Sequence, residues 1–331
     1  MSAKKISMID IARMAGVSTA TVSRVLNKNG RYSPETEKRV MEIVHKYGYL
    51  PNLSAKTLRT NKSLSIGVIV PDITNEFFGK IVRSIENTVL PFDYSVFVCD
   101  SQEDEKIETL QIQNIISKNV DGVIYIAGRA DVGDIDQNFS MPVVYIDRHA
   151  EHAQFVVQSD NEYGGFLATE QLIRSGCRRI LMLRDRRMLF PVRQRYAGYC
   201  KAHEKYGIPM DKSLIVDGTV GYILARDTIS TILEEGTLLF DGVFATNDAM
   251  ALGALHALQR HHVHVPEQVK LVGFDDISLS EFCNPPITTI TQNTEEMGQR
   301  AARLLLKRIQ GRDVPSNNII IPVSLNKRGT T

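Results

Sequence analysis

The sequence predicts a mixed α/β protein in which an all-α, helix-turn-helix segment precedes a larger body of parallel sheets. Three observations predict this fold: an uneven charge distribution, closely spaced helix signals before residue 50, and buried strands alternating with helices after residue 63. The chain has 331 residues, of which 43% are hydrophobic and 23% charged, a balance that is typical of globular proteins and excludes general disorder.

The charges divide near residue 62. Residues 1–62 contain twelve Lys and Arg and four Asp and Glu, a net charge of +8, whereas the remainder contains 27 basic and 34 acidic residues, a net charge of −7. A basic segment joined to an acidic body indicates a nucleic-acid-binding head on a separate module.

Helix signals in the head follow one another closely. Ser7 followed by Asp10 has the pattern of a capping box, Gly16 ends this first helix, and Ser18 is placed to cap a second helix over 19–26. Two short helices joined through a glycine are typical of a helix-turn-helix.

A third helix is predicted to begin after Ser33, with proline in its first turn, and to end at Gly48. Its apolar stripe of Val40, Val44 and Tyr47 is expected to pack on the first two helices.

The second helix has short polar side chains and one arginine on its outer face. Such a helix can insert its N-terminus into the major groove, where an arginine can donate two hydrogen bonds to guanine O6 and N7. The alternative is a small helical bundle with a solvated polar face, against which the +8 charge argues. The head residues predicted to contact DNA are Ser7, Thr19, Ala20, Thr21, Ser23, Arg24 and Asn27.

The body alternates predicted strands and helices, which favours parallel sheets with helical crossovers and, from the two sets of strands, two halves. The predicted strands are 64–70, 94–99, 122–126, 143–146, 180–183, 241–245 and 269–274. The predicted helices are 76–89, 104–118, 163–175, 194–206, 222–234 and 248–260.

Several classes of protein are excluded or disfavoured. No apolar run approaches the length of a membrane span, residues 1–10 lack a signal-peptide core, and four scattered cysteines indicate buried reduced thiols, so a cytoplasmic location is expected. No phosphate-binding, dinucleotide-binding or hydrolase-elbow motif occurs, and the histidines at 256–264 lack partners at metal-binding spacing. We therefore expect no enzyme activity, no cofactor and no metal.

Motifs spread along the chain resemble the lactose/galactose repressor family of bacterial transcription regulators. The segments that carry the resemblance are 9–12 (IDIA), 15–18 (AGVS), 21–27 (TVSRVLN), 48–52 (GYLPN), 55–58 (AKTL) and 66–72 (IGVIVPD). The resemblance extends to about residue 325 and implies a body with the two-lobed fold of periplasmic sugar-binding proteins. Crossings between the lobes are expected near 160, 290 and 322.

The resemblance implies a domain organisation. The expected parts are a helix-turn-helix domain over 1–50, a hinge helix and linker over 51–62, and an effector-binding and dimerisation body over 63–331, with one lobe at 63–160 and 292–322 and the other at 161–291 and 323–331.

In the family, the hinge helix pairs with its twin in the minor groove and a leucine wedges between central base pairs. Leu58 occupies that position, and Asn52 can cap the helix. The alternative is that Leu58 packs on the body. The resemblance therefore adds Asn52, Ala55, Lys56 and Leu58 to the DNA contacts, and implies a homodimer on a pseudo-palindromic operator with a CG step at its centre.

The resemblance also implies an effector site between the lobes, at the carboxyl ends of the strands. Arg195 is the principal candidate, because its planar guanidinium can hold two adjacent hydroxyls or an anionic group. Of Phe77 and Phe78, we expect one to face the ligand and the other the core. The predicted effector residues are Asp72, Phe77, Phe78, Asp147, Phe190, Arg193, Arg195, Val220, Asn247, Asp275 and Gln292.

Two departures from the family bear on the ligand. Val220 stands where many relatives have a stacking aromatic residue, which Tyr222 or Phe190 could replace. Eight arginines lie between 174 and 195, and the run at 184–187 (RDRR) is either a solvated loop with local ion pairs or a site for an anionic effector such as a sugar phosphate.

The predicted function is repression of a carbohydrate-use operon, switched by a sugar or sugar-phosphate effector. One alternative is a regulator that responds to a phosphorylated protein partner docked near helix 76–89. The other is a sugar-binding transport protein, which should have a signal peptide and no basic head. No leucine heptads follow residue 323, so a dimer is expected and not a tetramer.

Overall fold

The computed structural model describes residues 6–49, 62–126, 140–147, 154–218, 221–236, 238–315 and 317–331. They belong to two compact units, the head (Met1–Ser63) and the body (Leu64–Thr331). Each unit has its own hydrophobic core.

The described part of the head contains three helices, α1 (Met8–Ala15), α2 (Thr19–Leu26) and α3 (Pro34–Tyr47). The predicted capping box is confirmed, because the Asp10 amide donates to Ser7 Oγ at 3.3 Å and the Ser7 amide donates to Asp10 Oδ2 at 3.0 Å. Ser18 caps α2 as predicted.

The head core includes Val22, Val25 and Val40, and the prediction for Val40 is confirmed. The prediction for Tyr47 is wrong, since this side chain is 50% exposed. The chain turns back after α3 through a hydrogen bond from the Tyr49 amide to the Val44 carbonyl, and Tyr49 packs against the core instead.

The body contains two six-stranded sheets, with strands numbered along the chain. The first sheet contains β1 (Ser65–Val70), β2 (Ser95–Asp100), β3 (Gly122–Ile126), β4 (Val143–Ile146), β5 (Phe155–Ser159) and β11 (Asn317–Ile321), in the order β11-β5-β4-β3-β1-β2. The second contains β6 (Ile180–Asp185), β7 (Ile215–Gly218), β8 (Gly242–Ala245), β9 (Lys270–Asp275), β10 (Thr288–Gln292) and β12 (Val323–Asn326), in the order β12-β10-β9-β8-β6-β7. Among the described strands, β12 alone pairs antiparallel, with β10.

Eight helices of the described body connect these strands. They are α4 (Glu76–Val89), α5 (Glu105–Ser117), α6 (Asn161–Arg174), α7 (Phe190–Tyr206), α8 (Tyr222–Glu234), α9 (Asp248–Arg260), α10 (Ser278–Phe282) and α11 (Thr294–Ile309). All seven predicted strands and six predicted body helices are present. The largest boundary difference is at α7, which begins at Phe190 because Pro191 suits a first helical turn.

The chain passes between the two sheets three times. It leaves the first sheet after β5 at Asp160, returns after β10 at Asn293, and leaves again at Pro322 between β11 and β12. Each sheet with its helices forms one lobe of the body, and α11 packs on the first lobe.

Two further observations concern the whole described chain. No helix within the described ranges combines the length and apolar character needed to cross a bilayer. All four cysteines are free thiols, but only Cys177 is fully buried, so the expectation of four buried thiols is wrong for the other three.

Helices α6 and α7 cross at very short range because glycines face each other. A Cβ atom added at Gly165 would lie 2.1 Å from the Arg195 carbonyl oxygen, and one added at Gly198 would lie 2.0 Å from the Glu162 carbonyl oxygen. The crossing brings α7 against the first turns of α6, directly after the passage at Asp160.

We predict that Gly198→Ala lowers the free energy of unfolding by about 1–3 kcal/mol, because its methyl group meets backbone atoms that cannot move aside cheaply. Gly79→Ala is the matched control, since its Cβ meets nothing within 4 Å in α4, and it should be neutral or stabilising by about 0.5–1 kcal/mol. Urea unfolding of both variants measures the difference, and equal destabilisation would contradict the close crossing.

Candidate functional site

A cavity of about 480 Å³ lies between the two lobes of the body. Its lining includes residues that follow or end β1, β2, β4, β6, β8 and β9, which is where open α/β sheets bind ligands. Polar residues of this lining, one from each strand end, are Asp72, Ser101, Asp147, Asp185, Asn247 and Asp275.

Arg195 is buried at the floor of the cavity and held on three sides. Its Nε donates to Asn161 Oδ1 at 2.9 Å, and its Nη1 donates to the Thr246 carbonyl oxygen at 2.5 Å. The guanidinium lies over the Phe274 ring, 3.7 Å from its centroid. These contacts occupy Nε and Nη1, so Nη2 is the nitrogen without a protein partner among the described residues.

Two buried carboxylates accompany Arg195. Asp275 Oδ1 lies 3.7 Å from Arg195 Nη1, while Asp147 Oδ1 accepts from the Ser159 amide at 3.0 Å and from Asn161 Nδ2 at 3.1 Å. Burial raises the pKa of Asp147, and it raises the pKa of Asp275 to about 7, against the lowering effect of Arg195. Burial also lowers the pKa of Arg195, although the neighbouring acids oppose this shift.

Asn247 and Asp72 supply polar groups from the two lobes. Asn247 caps α9, with its Oδ1 accepting from the Met250 amide at 2.7 Å, so its amide NH₂ is left for a ligand. Asp72 Oδ1 accepts from the amide and hydroxyl of Thr74, so Asp72 Oδ2 is left for a ligand.

The aromatic residues depart from the expectation. Phe77 and Phe78 pack edge to face with their ring centroids 5.2 Å apart, and both line the cavity, although Phe77 also belongs to the first lobe's core. Tyr222 lines the cavity and is hydrogen-bonded to His256. Val220 lies outside the described residues.

Three predicted effector residues are not among those that line the cavity. Phe190 begins α7, and its neighbours Leu189 and Pro191 face the cavity instead. Arg193 is exposed and donates to the Met188 carbonyl oxygen. Gln292 lies behind Asp275, with its Nε2 donating to Asp275 Oδ1 at 2.7 Å, so it orients that carboxylate.

The arginine run at 184–187 is only partly a solvated loop. Arg184 pairs with Asp217 and Arg186 is exposed, as the ion-pair interpretation predicts. Arg187, however, lines the cavity and contacts Asp185 and Glu103. Glu103 and Asp185 were not predicted from the sequence, although their positions after β2 and at the end of β6 could have indicated them.

Asp276, the residue after Asp275, is not among those that line the cavity. It forms an ion pair with Arg328 at 2.7 Å and accepts from Thr291 Oγ1.

The head presents the predicted face of α2. Thr19, Ala20 and Arg24 are exposed, and the Arg24 side chain lies along Gly30, where an added Cβ would be 3.3 Å from Arg24 Cδ. The other polar groups of α2 are partly used within the head: Thr21 contacts Ser18, and Asn27 Nδ2 donates to the Ser23 carbonyl oxygen. Ser7 is the cap of α1, whereas Asn52, Ala55, Lys56 and Leu58 lie outside the described residues.

Comparison with known proteins identifies the class to which this head and cavity belong. Residues 7–52 match the bacterial regulatory proteins of the lacI family, and residues 169–331 match a periplasmic binding protein-like domain. The chain belongs to the lacI family of bacterial transcription regulators.

Individual relatives are similar over nearly the whole chain. The ribose operon repressor of Halalkalibacterium halodurans is 33% identical over 322 residues, 97% of this chain and 96% of that protein. The HTH-type transcriptional repressor PurR of Pasteurella multocida is 35% identical over 91% of each chain. The structure of a Lac repressor dimer bound to operator and the anti-inducer ONPF superposes with a TM-score of 0.87 at 28% identity over 99% of each chain.

We predict that Asp275→Asn changes how stability depends on pH. Because the Asp275 pKa is about 7 in the folded protein against a model-compound value of 3.8, the folded state retains a proton between these limits, and its stability falls as pH rises through them. Asparagine cannot lose that proton, so the variant should gain on the order of 2 kcal/mol over the parent between about pH 5 and pH 7.5.

Urea unfolding at a series of pH values measures this gain. Asp276→Asn is the matched control. Burial raises the pKa of Asp276, but hydrogen bonds from Thr291, Arg328 and Asn326 lower it by more, so that it lies below its usual value. The control variant should therefore lose stability at neutral pH, with no change of slope between pH 5 and 7.5. A parallel pH dependence for Asp275→Asn and the parent would refute the assignment.

Proposed function

We propose that this chain is a dimeric, sequence-specific repressor whose operator affinity is switched by a small-molecule effector, a sugar or sugar phosphate, in the cavity between the lobes. The observation that carries the proposal is the buried Arg195 with Asp147 and Asp275 in the cavity between the lobes, in the same chain as a basic helix-turn-helix head. The protein acts by binding, without catalysis, in the cytoplasm.

Each part has a proposed role. The head (1–50) reads a half-site, the segment 51–62 forms the hinge helix, and the body (63–331) binds effector and dimerises. Thr19, Ala20 and Arg24 read base edges because they are exposed on α2, while Thr21, Ser23 and Asn27 hold phosphates or neighbouring edges.

The hinge segment couples the two activities. As the family resemblance implies, Leu58 of each subunit wedges into the centre of the pseudo-palindrome, and Asn52, Ala55 and Lys56 support it. Bending a site of this kind costs about 1–6 kcal/mol, which is recovered only when both hinge helices dock.

Effector binding acts through the relative position of the lobes. In the structure, the Ser278 amide and hydroxyl of the second lobe donate to Glu76 of the first at 2.8 and 2.6 Å, and Ile277 packs into the first lobe's core. A ligand that binds this closed arrangement more tightly than an open one shifts the first lobe, to which the hinge segment is joined.

Exposed apolar side chains support a homodimer through the body. In the first lobe, Phe97 and Val98 lie on the edge strand β2 and Leu110 on α5, while in the second lobe Ile223 and Phe282 are 61% and 78% exposed. Apolar patches and an open edge strand of this kind are typical of protein interfaces.

The cavity favours a small-molecule effector over a phosphorylated protein partner. Its volume of about 480 Å³ lies in the usual range of ligand sites, and its lining includes the buried Arg195 with Asp147 and Asp275. The face of α4 that packs on α11 is covered by contacts such as Ser84 Oγ donating to the Glu295 carbonyl oxygen.

We predict that Arg24→Ala weakens binding to a preferred operator, obtained by selection from random duplex DNA, by about 10–150-fold while weakening non-specific binding much less. The reason is the loss of a bidentate base contact. Fluorescence anisotropy at fixed salt measures both affinities. Lys38→Ala on the exposed surface of α3 is the control for charge alone, and an equal loss in the two variants would contradict base reading by Arg24.

We predict that a screen of sugars, sugar phosphates and nucleobases by thermal shift identifies a ligand that stabilises the body by about 2.7 kcal/mol at 100 times its dissociation constant. The same ligand should change operator anisotropy, and Arg195→Met should abolish both effects. A ligand whose binding leaves operator affinity unchanged would refute the proposed switch.

A further inference from the structure

Arg187 bridges the two lobes at the wall of the cavity. It follows β6 of the second lobe, and its Nη2 lies 3.1 Å from Oε1 of Glu103, which follows β2 of the first lobe. Its Nε and Nη2 also donate to Asp185 Oδ2 at 2.9 and 2.6 Å. One guanidinium is therefore shared between two carboxylates from different lobes.

The two carboxylates at Nε and Nη2 outweigh the single charge of Arg187, although its Nη1 has no hydrogen-bond partner among the described residues. Burial lowers the pKa of Arg187, but the hydrogen bonds to Asp185 and Glu103 raise it by more than burial lowers it. The pKa therefore lies above its usual value, and the guanidinium stays charged and paired. Asp185 is itself buried and also accepts from the Arg187 amide at 2.9 Å, which fixes the loop that carries the arginine.

The lining as a whole is acidic, since seven carboxylates and two arginines line the cavity. An entering phosphate could reach only Nη1 of Arg187 without displacing a carboxylate, and it would add negative charge among the carboxylates of the lining, where partial burial strengthens repulsion. A neutral polyol adds no charge, and its hydroxyls can donate to Asp72, Asp147 and Asp275 while accepting from Arg195 Nη2 and Asn247 Nδ2.

We propose that Asp185, Arg187 and Glu103 form a charge clasp across the cavity that excludes anionic effectors, so that the body selects an uncharged polyhydroxylated ligand. The clasp determines specificity because its two carboxylates offset the charge of Arg187, which would otherwise attract a phosphoryl group at the contact between the lobes. This inference rests on the proposed function, since it names the effector class of the same site.

The test uses inorganic phosphate as the probe and thermal unfolding of the full chain as the readout, against chloride at equal ionic strength. We expect about 20 mM phosphate to leave the Tm of the unmodified protein unchanged. It should raise the Tm of Glu103→Gln/Asp185→Asn by about 2 °C or more, because no carboxylate then offsets the charge of Arg187 in the clasp. Adding Arg187→Met to that double variant should remove the gain. Glu86→Gln on the exposed face of α4 is the matched control and should behave like the unmodified protein.

Two results would overturn the clasp. One is phosphate stabilisation of the unmodified protein that Arg187→Met abolishes, which would make Arg187 an anion site. The other is a folded double variant that phosphate does not stabilise, which would show that these carboxylates are not the barrier. If the double variant does not fold, Glu103→Gln alone is scored in the same way, since Glu103 is 30% exposed.

Operator anisotropy of the same preparations keeps the two proposals separate. The clasp variants should bind operator like the unmodified protein, because none of their changes lies in the head. Absence of specific DNA binding by the unmodified protein would contradict the proposed function. The phosphate result would still show whether the clasp excludes anions.

Discussion

The charged side chain of Arg195 is only 7% exposed, and several elements of the body supply the partners that stabilise this buried charge. The guanidinium is satisfied by an amide, a carbonyl oxygen, an aromatic face and nearby carboxylates from four separate elements. None of these partners could reach it without the glycine-mediated crossing of α6 and α7, which brings the arginine to the strand ends. Since an unpaired buried charge is strongly destabilising, the ligand site and the stability of the lobe depend on the same contacts.

A second buried acid extends this dependence to the interface between the lobes. Asp248 at the start of α9 accepts from the Thr289 hydroxyl at 2.6 Å and from the Ile277 amide at 3.0 Å. The segment that it holds carries Ile277 and Ser278 to the first lobe. Burial raises the pKa of Asp248 to about 6, so part of the inter-lobe contact is attached to a group that titrates close to neutrality.

Most of the fold could be predicted because its signals are local. Capping serines, buried β-branched runs and amphipathic helices are readable within a window of a few residues, and α4, α8 and α9 were predicted without boundary error. Short strands such as β7 and β10 were missed because their residues are partly polar and pair with neighbours distant in sequence.

Part of the site could be predicted from strand position, whereas Arg195 on α7 was predicted from the family resemblance. Asp147, Asn247 and Asp275 follow strand ends, so parallel topology brings them together. The predictions for Gln292 and Arg193 were wrong because sequence position does not show whether a side chain faces the cavity or supports a neighbour. Glu103 and Arg187 meet only because the lobes approach each other, which no local pattern encodes.

The Asn161 side chain has a mechanical consequence. Its amide donates to Asp147 of the first lobe and accepts from Arg195 of the second, one residue after the crossing at Asp160. Asn161 and Arg195 both belong to the second lobe, so a sliding motion of one lobe over the other would break the bond to Asp147. The same carboxamide therefore ties the cavity's arginine to the first lobe beside a chain crossing.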